Sequence, residues 1–147
     1  MLANQIEALG LNENVTLAGY QDHTAVISLV KSSDIFIMPS RYEGTPIALL
    51  EAGSLGIPII ASNVGGIPEL IQDQTDALLV PPDDPQALAH AVTRLMTDKK
   101  LAEMISINAV EKIRTKFNME RQFELTWNAY QKALMFHKLK TGNLTSH

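Results

Sequence analysis

The chain has 147 residues, a length that predicts one domain with a single core. Hydrophobic residues make up 46% and charged residues 19%, and a net charge of −4 without a basic cluster argues against nucleic-acid binding. Cysteine is absent, which excludes disulfides, thiolate zinc sites and cysteine nucleophiles. The first ten residues lack the features of a signal peptide, and no apolar run is long enough to span a bilayer, so we expect a cytoplasmic protein.

Short apolar runs alternate with helical patterns over the first 80 residues. These patterns predict helices at 2–10, 24–32, 46–55 and 67–72, and strands at 15–18, 34–38, 58–62 and 77–80. Thr45 is the predicted N-cap of the third helix, and Pro46 is its predicted first residue. The strands are nearly continuous apolar runs, as expected of strands that are buried on both faces.

The rest of the chain is predicted to be helical, in segments at 85–97, 100–116 and 119–138. Asp84 and Pro85 provide a cap and a proline start for the first of these helices. We therefore expect one domain over 1–138 and a polar tail over 139–147. The order of elements favours an α/β fold in which helices cover both faces of a parallel sheet.

In such a sheet the ligand lies beyond the carboxyl ends of the strands, which directs attention to the loop 39–46. Glu43 follows a strand end, and Gly44 allows a ligand to approach the backbone closely. The free N–H groups of the next helix suit a phosphate, and Glu51 in its second turn can accept hydrogen bonds from a vicinal diol such as ribose. Taken singly, each glutamate would more often be a solvated surface residue.

A second glycine turn, Gly65-Gly66, follows another strand end. Either a ligand contact or a plain connection into the next helix explains it. The acidic turns at 73–76 and 83–84 are interpreted as local caps rather than as a metal site, and the four histidines lack ligand spacing. His23 lies near the expected ligand edge and could contact a ligand, although a surface position is the simpler interpretation.

Together, the residues of these loops resemble the GT4-type (group 1) glycosyltransferases of the GT-B fold. The resemblance rests on PSRYEGTP at 39–46, EA at 51–52, GIP at 56–58, AS at 61–62 and GGIPE at 65–69. Seven residues separate Glu43 from Glu51, as in the two-glutamate signature of that family. The resemblance covers residues 5–135 and implies a Rossmann-like sheet, part of the C-terminal, donor-binding half of such an enzyme.

By position, the resemblance implies that Glu43 is the catalytic residue that contacts hydroxyls of the transferred sugar. The backbone of residues 44–46 would approach the sugar and the diphosphate, while Glu51 would hold the ribose. The loop that begins at Tyr20 would border the base. The full set of implied donor-binding residues is Tyr20, Arg41, Gly44, Thr45, Pro46, Glu51, Gly65 and Gly66.

Members of this family retain the anomeric configuration and generally need no metal ion, so the resemblance implies neither a metal nor a cofactor. Catalysis would depend on positioning and on stabilising the departing diphosphate, rather than on a protein nucleophile. The implied partners are a nucleotide-sugar donor and an unidentified acceptor. If the acceptor is a lipid, the protein would work at a membrane.

The sequence departs from the family pattern in two ways. Gln74, Ala77 and Asp83 stand where relatives often have glycine, in turns away from the two glutamates. In addition, two strands that precede this segment in relatives have no counterpart, and neither does the basic Arg/Lys pair that neutralises the diphosphate. Those strands usually lie between the ones predicted at 15–18 and 34–38. Either these two strands pair directly, or the open edges pair with another chain, or the sequence is part of a longer protein.

Three functions fit these residues. The leading one is the donor-binding part of a retaining glycosyltransferase. The alternative is a non-catalytic nucleotide-sugar-binding module or inactive fragment, which would need a separate acceptor-domain chain or a homo-oligomer to complete its site. A nucleotide-sugar epimerase would need acid and base residues around the anomeric carbon, and Glu43 is the single candidate.

Overall fold

The computed structural model describes residues 2–142, with side chains described through residue 137. The elements in chain order are α1 (Leu2–Ala8), α2 (His23–Lys31), β1 (Phe36–Met38), α3 (Ile47–Ser54), β2 (Ile59–Ser62), α4 (Ile67–Leu70), β3 (Leu78–Val80), α5 (Pro85–Thr97), α6 (Lys99–Lys116) and α7 (Met119–Gly142). This order confirms the α/β prediction. Of the predicted polar tail, the first residues extend α7, and 143–147 lie outside the described residues. Within residues 2–142, no helix combines the length and the apolarity needed to cross a membrane.

The three strands form one parallel, Rossmann-like sheet in the order β1-β2-β3. Phe36 of β1 pairs with Ile59 of β2, and Ile60 of β2 pairs with Leu78 of β3. A helix connects each pair of strands, α3 in the first case and α4 in the second, as parallel pairing requires. The carboxyl ends of all three strands therefore lie at one edge of the sheet, where the sequence predicts the ligand.

The side chains of β2 alternate between two apolar clusters, one on each face of the sheet. Ile59 and Ala61 pack in a cluster with Leu49 of α3 and Ile67 of α4. Ile60 packs in a second cluster with residues of α5 and α6. Because all four residues of β2 are buried, this strand is the centre of the core, and helices cover both faces as predicted.

The strand predicted at 15–18 is not formed. This segment makes no strand pairing, and Val15 and Leu17 are exposed. An extended segment is stable when its N–H and C=O groups form a ladder with a neighbour, and in the described part of the chain β1 pairs with β2 alone. The prediction was wrong because a local apolar pattern does not supply a partner strand.

The start of α3 also differs from the prediction. The helix begins at Ile47, and Pro46 occupies the N-cap position with φ −75° and ψ 93°. Thr45 is therefore not the N-cap, and no side chain caps this helix. Proline is compatible with either position, because its ring fixes φ and it has no N–H to satisfy.

Two of the three departures from the family pattern have a left-handed backbone. Gln74 and Asp83 have φ values of 58° and 57°, in the region where a Cβ atom is strained and glycine is favoured. Ala77 is different, since it is fully buried and has no positive φ. Backbone conformation thus explains why glycine would suit the first two positions but not the third.

Candidate functional site

Glu43 is held through both its side chain and its main chain. It lies in the loop between β1 and α3, here called the Glu43 loop (residues 39–46). Its Oε1 accepts a hydrogen bond of 2.7 Å from Ser40 Oγ, and its main-chain oxygen accepts one of 3.0 Å from the N–H of Gly66. Its Oε2 has no hydrogen-bond partner among the described residues and is available to a ligand.

Gly65 and Gly66, here called the glycine pair, pack against the main chain of the Glu43 loop. A Cβ atom on Gly65 would overlap the carbonyl group of Glu43, and one on Gly66 would overlap the carbonyl group of Gly44. Gly65 also has a φ of +52°, which favours glycine. The pair is therefore needed because loops from two neighbouring strands touch through their backbones, a role that neither sequence alternative included.

The start of α3 lies between the two glutamates in the sequence. No side chain caps this helix, and Gly44 and Thr45 are exposed while Pro46 is buried. The first N–H groups of a helix lack intrahelical acceptors and carry its positive dipole end. Uncapped donors beside an exposed glycine form a surface that suits a phosphate.

Glu51 lies in the second turn of α3 and contacts α2. Its Oε1 is 2.8 Å from Nε2 of His23, the first residue of α2. The side chain of Glu51 is 30% exposed and that of His23 is 74% exposed. The sequence assigned His23 to the surface, and the single signal for this contact was its place in a loop at the expected ligand edge.

Arg41 forms an ion pair with Asp83, in which Nε donates to Oδ1 at 2.7 Å. Their side chains are 83% and 63% exposed, so the pair contributes little to stability. Both residues line a cleft of about 550 Å³ at the carboxyl ends of the strands, and neither glutamate of the signature lines it. Residues at the strand ends that also line this cleft are Pro39, Ser62 and Val80.

The predicted site residues thus fall into separate groups. The Glu43 loop contacts the glycine pair, and Glu51 contacts His23. Tyr20 has a side chain that is 95% exposed, three residues before His23 in the chain. Arg41 lies in the cleft with Asp83. The structure therefore joins the glutamates to supporting residues, but among the described residues no hydrogen bond or ion pair links Tyr20 or Arg41 to either glutamate.

The acidic turns stabilise local structure. Asp73 Oδ1 accepts a hydrogen bond of 2.8 Å from a main-chain N–H of β3, and Asp84 caps α5 as predicted. Asp76 is buried, accepts a hydrogen bond from the N–H of Gln72, and forms an ion pair of 2.6 Å with Lys112 Nζ. Across the side chains that are described, no three histidine or acidic residues group into a potential metal site.

The chain also matches a family of known proteins. Residues 1–112 match the family described as glycosyl transferases group 1. Alpha-D-kanosaminyltransferase from Streptomyces kanamyceticus is 34% identical over 118 residues, which covers 80% of this chain and 31% of that protein. Sucrose-phosphate synthase from Thermosynechococcus elongatus has a structure that matches with a TM-score of 0.83 at 29% identity, over 91% of this chain and 34% of that one.

A third match is the crystal structure of HepE from Anabaena in complex with UDP. Its TM-score is 0.79 at 25% identity, over 87% of this chain and 36% of that one. The chain thus spans about a third of the length of each of these proteins. Its sheet and helices match the C-terminal part of GT-B enzymes, and the family match includes the whole segment from Tyr20 to Gly66. The chain therefore belongs to the group 1 glycosyl transferase family.

Proposed function

We propose that this chain is the donor-binding part of a retaining glycosyltransferase that uses a nucleotide-diphosphate sugar. One observation carries the proposal: two carboxylates, on Glu43 and Glu51, flank the uncapped start of α3 at the carboxyl edge of the sheet. Carboxylates accept hydrogen bonds from hydroxyl groups, and the start of a helix binds phosphates. A nucleotide-diphosphate sugar presents these groups in the same order, as a sugar, a diphosphate and a ribose.

The comparisons support the class of donor. HepE was crystallised with UDP, and this agrees with a nucleotide as the ligand of the present chain. The seven residues between Glu43 and Glu51 favour the GT4 type within the family.

Each end of the donor has a proposed residue. Glu43 is the catalytic residue, and its Oε2 accepts hydrogen bonds from hydroxyls of the transferred sugar. Glu51 accepts hydrogen bonds from the ribose through its Oε2, which has no partner among the described residues. The main chain at Gly44 and Thr45 approaches the sugar and the diphosphate. The remaining proposed donor-binding residues are Tyr20, Arg41, Pro46, Gly65 and Gly66.

The proposed reaction needs no protein nucleophile, metal or cofactor. The bond between the anomeric carbon and the diphosphate oxygen breaks, the acceptor hydroxyl oxygen forms a bond to that carbon on the same face of the sugar, and the hydroxyl proton passes to the departing diphosphate. Negative charge develops on the departing diphosphate, and the N–H groups at the start of α3 stabilise that charge. The protein contributes mainly by holding the donor in a reactive position.

Binding of the acceptor is proposed to involve residues outside this chain. A sugar or lipid acceptor would be bound by an acceptor domain, supplied by a longer chain, a separate chain or a homo-oligomer. A cytoplasmic location, with membrane contact when the acceptor is a lipid, belongs to the same proposal. The basic residues that would neutralise the diphosphate would come from the same source.

Calorimetric titration with UDP, GDP and ADP and with their sugar conjugates tests the donor site. We expect the chain to bind one of these nucleotides. Glu51→Ala should lower the affinity for both the nucleotide and its sugar conjugate, because both contain the ribose. Glu43→Ala should lower the affinity for the sugar conjugate and leave the affinity for the nucleotide unchanged, because Glu43 is proposed to contact the sugar alone. Glu103→Ala, which changes an exposed glutamate on α6, is the matched control and should change neither affinity.

Two results would change the proposal. A folded chain that binds none of the nucleotides or conjugates would contradict a donor site. Binding of a nucleotide sugar without release of the free nucleotide, even after an acceptor domain is supplied, would favour the non-catalytic binding module.

A further inference from the structure

The contact between His23 and Glu51 joins two helices that are distant in the sequence. Asp22 caps α2, and its Oδ1 accepts a hydrogen bond of 2.9 Å from the N–H of Ala25. This cap fixes His23 at the first position of α2. From there its Nε2 reaches Glu51 Oε1 at 2.8 Å, across a separation of 28 residues. The position of the imidazole therefore depends on the start of α2, which packs against α3.

The two oxygens of Glu51 are in different situations. His23 engages Oε1, whereas Oε2 has no hydrogen-bond partner among the described residues. A carboxylate has acceptor sites on both oxygens, so a bond to one leaves the other able to accept from a ligand. A glutamate side chain that is 30% exposed would otherwise occupy several rotamers.

We infer that His23 is a positioning residue, which holds the Glu51 carboxylate so that Oε2 accepts hydrogen bonds from the ribose hydroxyls. This inference rests on the proposed function, because it assigns the ribose to Glu51. It adds a residue that itself does not contact the ribose. A contact in which the His23 side chain is 74% exposed contributes little to the stability of the fold, so its effect on ligand binding is separable from any effect on folding.

The test is calorimetry on the full chain with UDP and 2′,3′-dideoxy-UDP, and with the GDP and ADP pairs where those are the nucleotides bound. His23→Ala should lower the affinity for the ribonucleotide about five- to tenfold, the effect of one lost hydrogen bond. It should leave the affinity for the dideoxy analogue unchanged. His23→Gln should restore most of the loss, because its amide nitrogen can donate to Glu51 in place of Nε2. In a Glu51→Ala background, His23→Ala should have no further effect.

His90→Ala is the matched control, since His90 is an exposed histidine on α5 without a hydrogen bond among the described residues. It should change neither affinity. Urea unfolding of each variant should give a midpoint close to that of the wild type, which excludes a folding defect as the cause of weaker binding.

The outcomes separate this inference from the proposed function. If the wild type binds no nucleotide, or if Glu51→Ala binds both ligands as the wild type does, the role of Glu51 is wrong and the inference is wrong with it. If Glu51→Ala loses the preference for ribose but His23→Ala keeps it, the proposed function stands and the inference alone is overturned. The inference would also be overturned if His23→Ala lowered the affinities for the ribonucleotide and the dideoxy analogue equally.

Discussion

Replacing Gly66 with alanine tests whether the glycine pair places Glu43. The backbone of Gly66 has φ −78° and ψ −3°, values that alanine adopts without strain. On conformational grounds alone, Gly66→Ala should stabilise the protein by about 0.4–1 kcal/mol, because alanine has fewer conformations in the unfolded chain. The new methyl group, however, would overlap the carbonyl group of Gly44. The conformational effect would raise the free energy of unfolding and the overlap would lower it. The sign of the measured change therefore shows which effect is larger.

The overlap should dominate. Its partner is a main-chain carbonyl group, which moves only when the whole Glu43 loop moves. Overpacking of this kind costs about 1–3 kcal/mol. Separation of the loops would also weaken the hydrogen bond from the Gly66 N–H to the Glu43 oxygen, a further loss of about 1 kcal/mol. We expect a net destabilisation of about 1–3.5 kcal/mol after subtraction of the entropic gain.

Gly10→Ala separates this overlap from backbone strain. Gly10 has a φ of +65° with no atom near its missing Cβ, so alanine there introduces strain alone. We expect a loss of about 1 kcal/mol from that strain and no change in ligand affinity. Urea unfolding followed by far-UV circular dichroism measures the stability of both variants, and calorimetry measures their affinity for the nucleotide sugar.

Gly66→Ala should also change the affinity for the nucleotide sugar. A displaced Glu43 loop should lower the affinity of Gly66→Ala for the nucleotide sugar about tenfold, through the hydroxyls that Glu43 is proposed to contact. If Gly66→Ala is as stable as the wild type and binds the nucleotide sugar equally well, the loops do not need their close backbone contact, and the argument from the glycine pair fails.

Three further variants test local interactions by the same unfolding assay. Asp84→Ala removes the acceptor of two main-chain N–H groups at the start of α5 and should cost about 1 kcal/mol; no loss would mean that the cap is dispensable. Lys112→Met leaves the buried Asp76 carboxylate without its cation and should cost about 3 kcal/mol, whereas an unchanged midpoint would contradict a coupled pair. Gln74→Gly should raise stability by up to about 1 kcal/mol by relieving its φ of 58°, and a decrease would show that this backbone is not strained.

The parts of the fold that sequence patterns predicted are those that neighbouring residues determine. Asp84 and Pro85 mark the start of α5, and the apolar runs at β1, β2 and β3 predict the three strands that form. Burial on both faces, also predicted, holds for β2 but not for β1, where Ile37 is exposed because this strand lies at an edge of the sheet. The segment 15–18 has a similar apolar pattern but no partner for its ladder. Its failure to form a strand shows that a strand depends on a neighbour as well as on its own residues.

The candidate site shows the same division. The glutamates and the glycine pair are visible in the sequence, because their spacing is local. Their supports are contacts between distant residues: His23 with Glu51 at a separation of 28 residues, and Arg41 with Asp83 at a separation of 42. A single sequence has no pattern that specifies such pairs. The contact of His23 with Glu51 follows from the packing of α2 against α3, and that of Arg41 with Asp83 from the parallel sheet, which brings the loops after β1 and β3 to one edge.

The two glutamates are held in different ways, and this difference bears on the proposed chemistry. Glu43 is held by a hydrogen bond from Ser40 and by main-chain contacts with the glycine pair, which cannot change rotamer. Glu51 is held by one side chain that is mostly exposed. Transfer depends on the position of the sugar, where small displacements reduce the rate strongly, whereas the ribose contributes mainly to affinity. Under the proposed function, the rigid support of Glu43 and the single exposed contact of Glu51 would therefore match the separate demands of transfer and of donor binding.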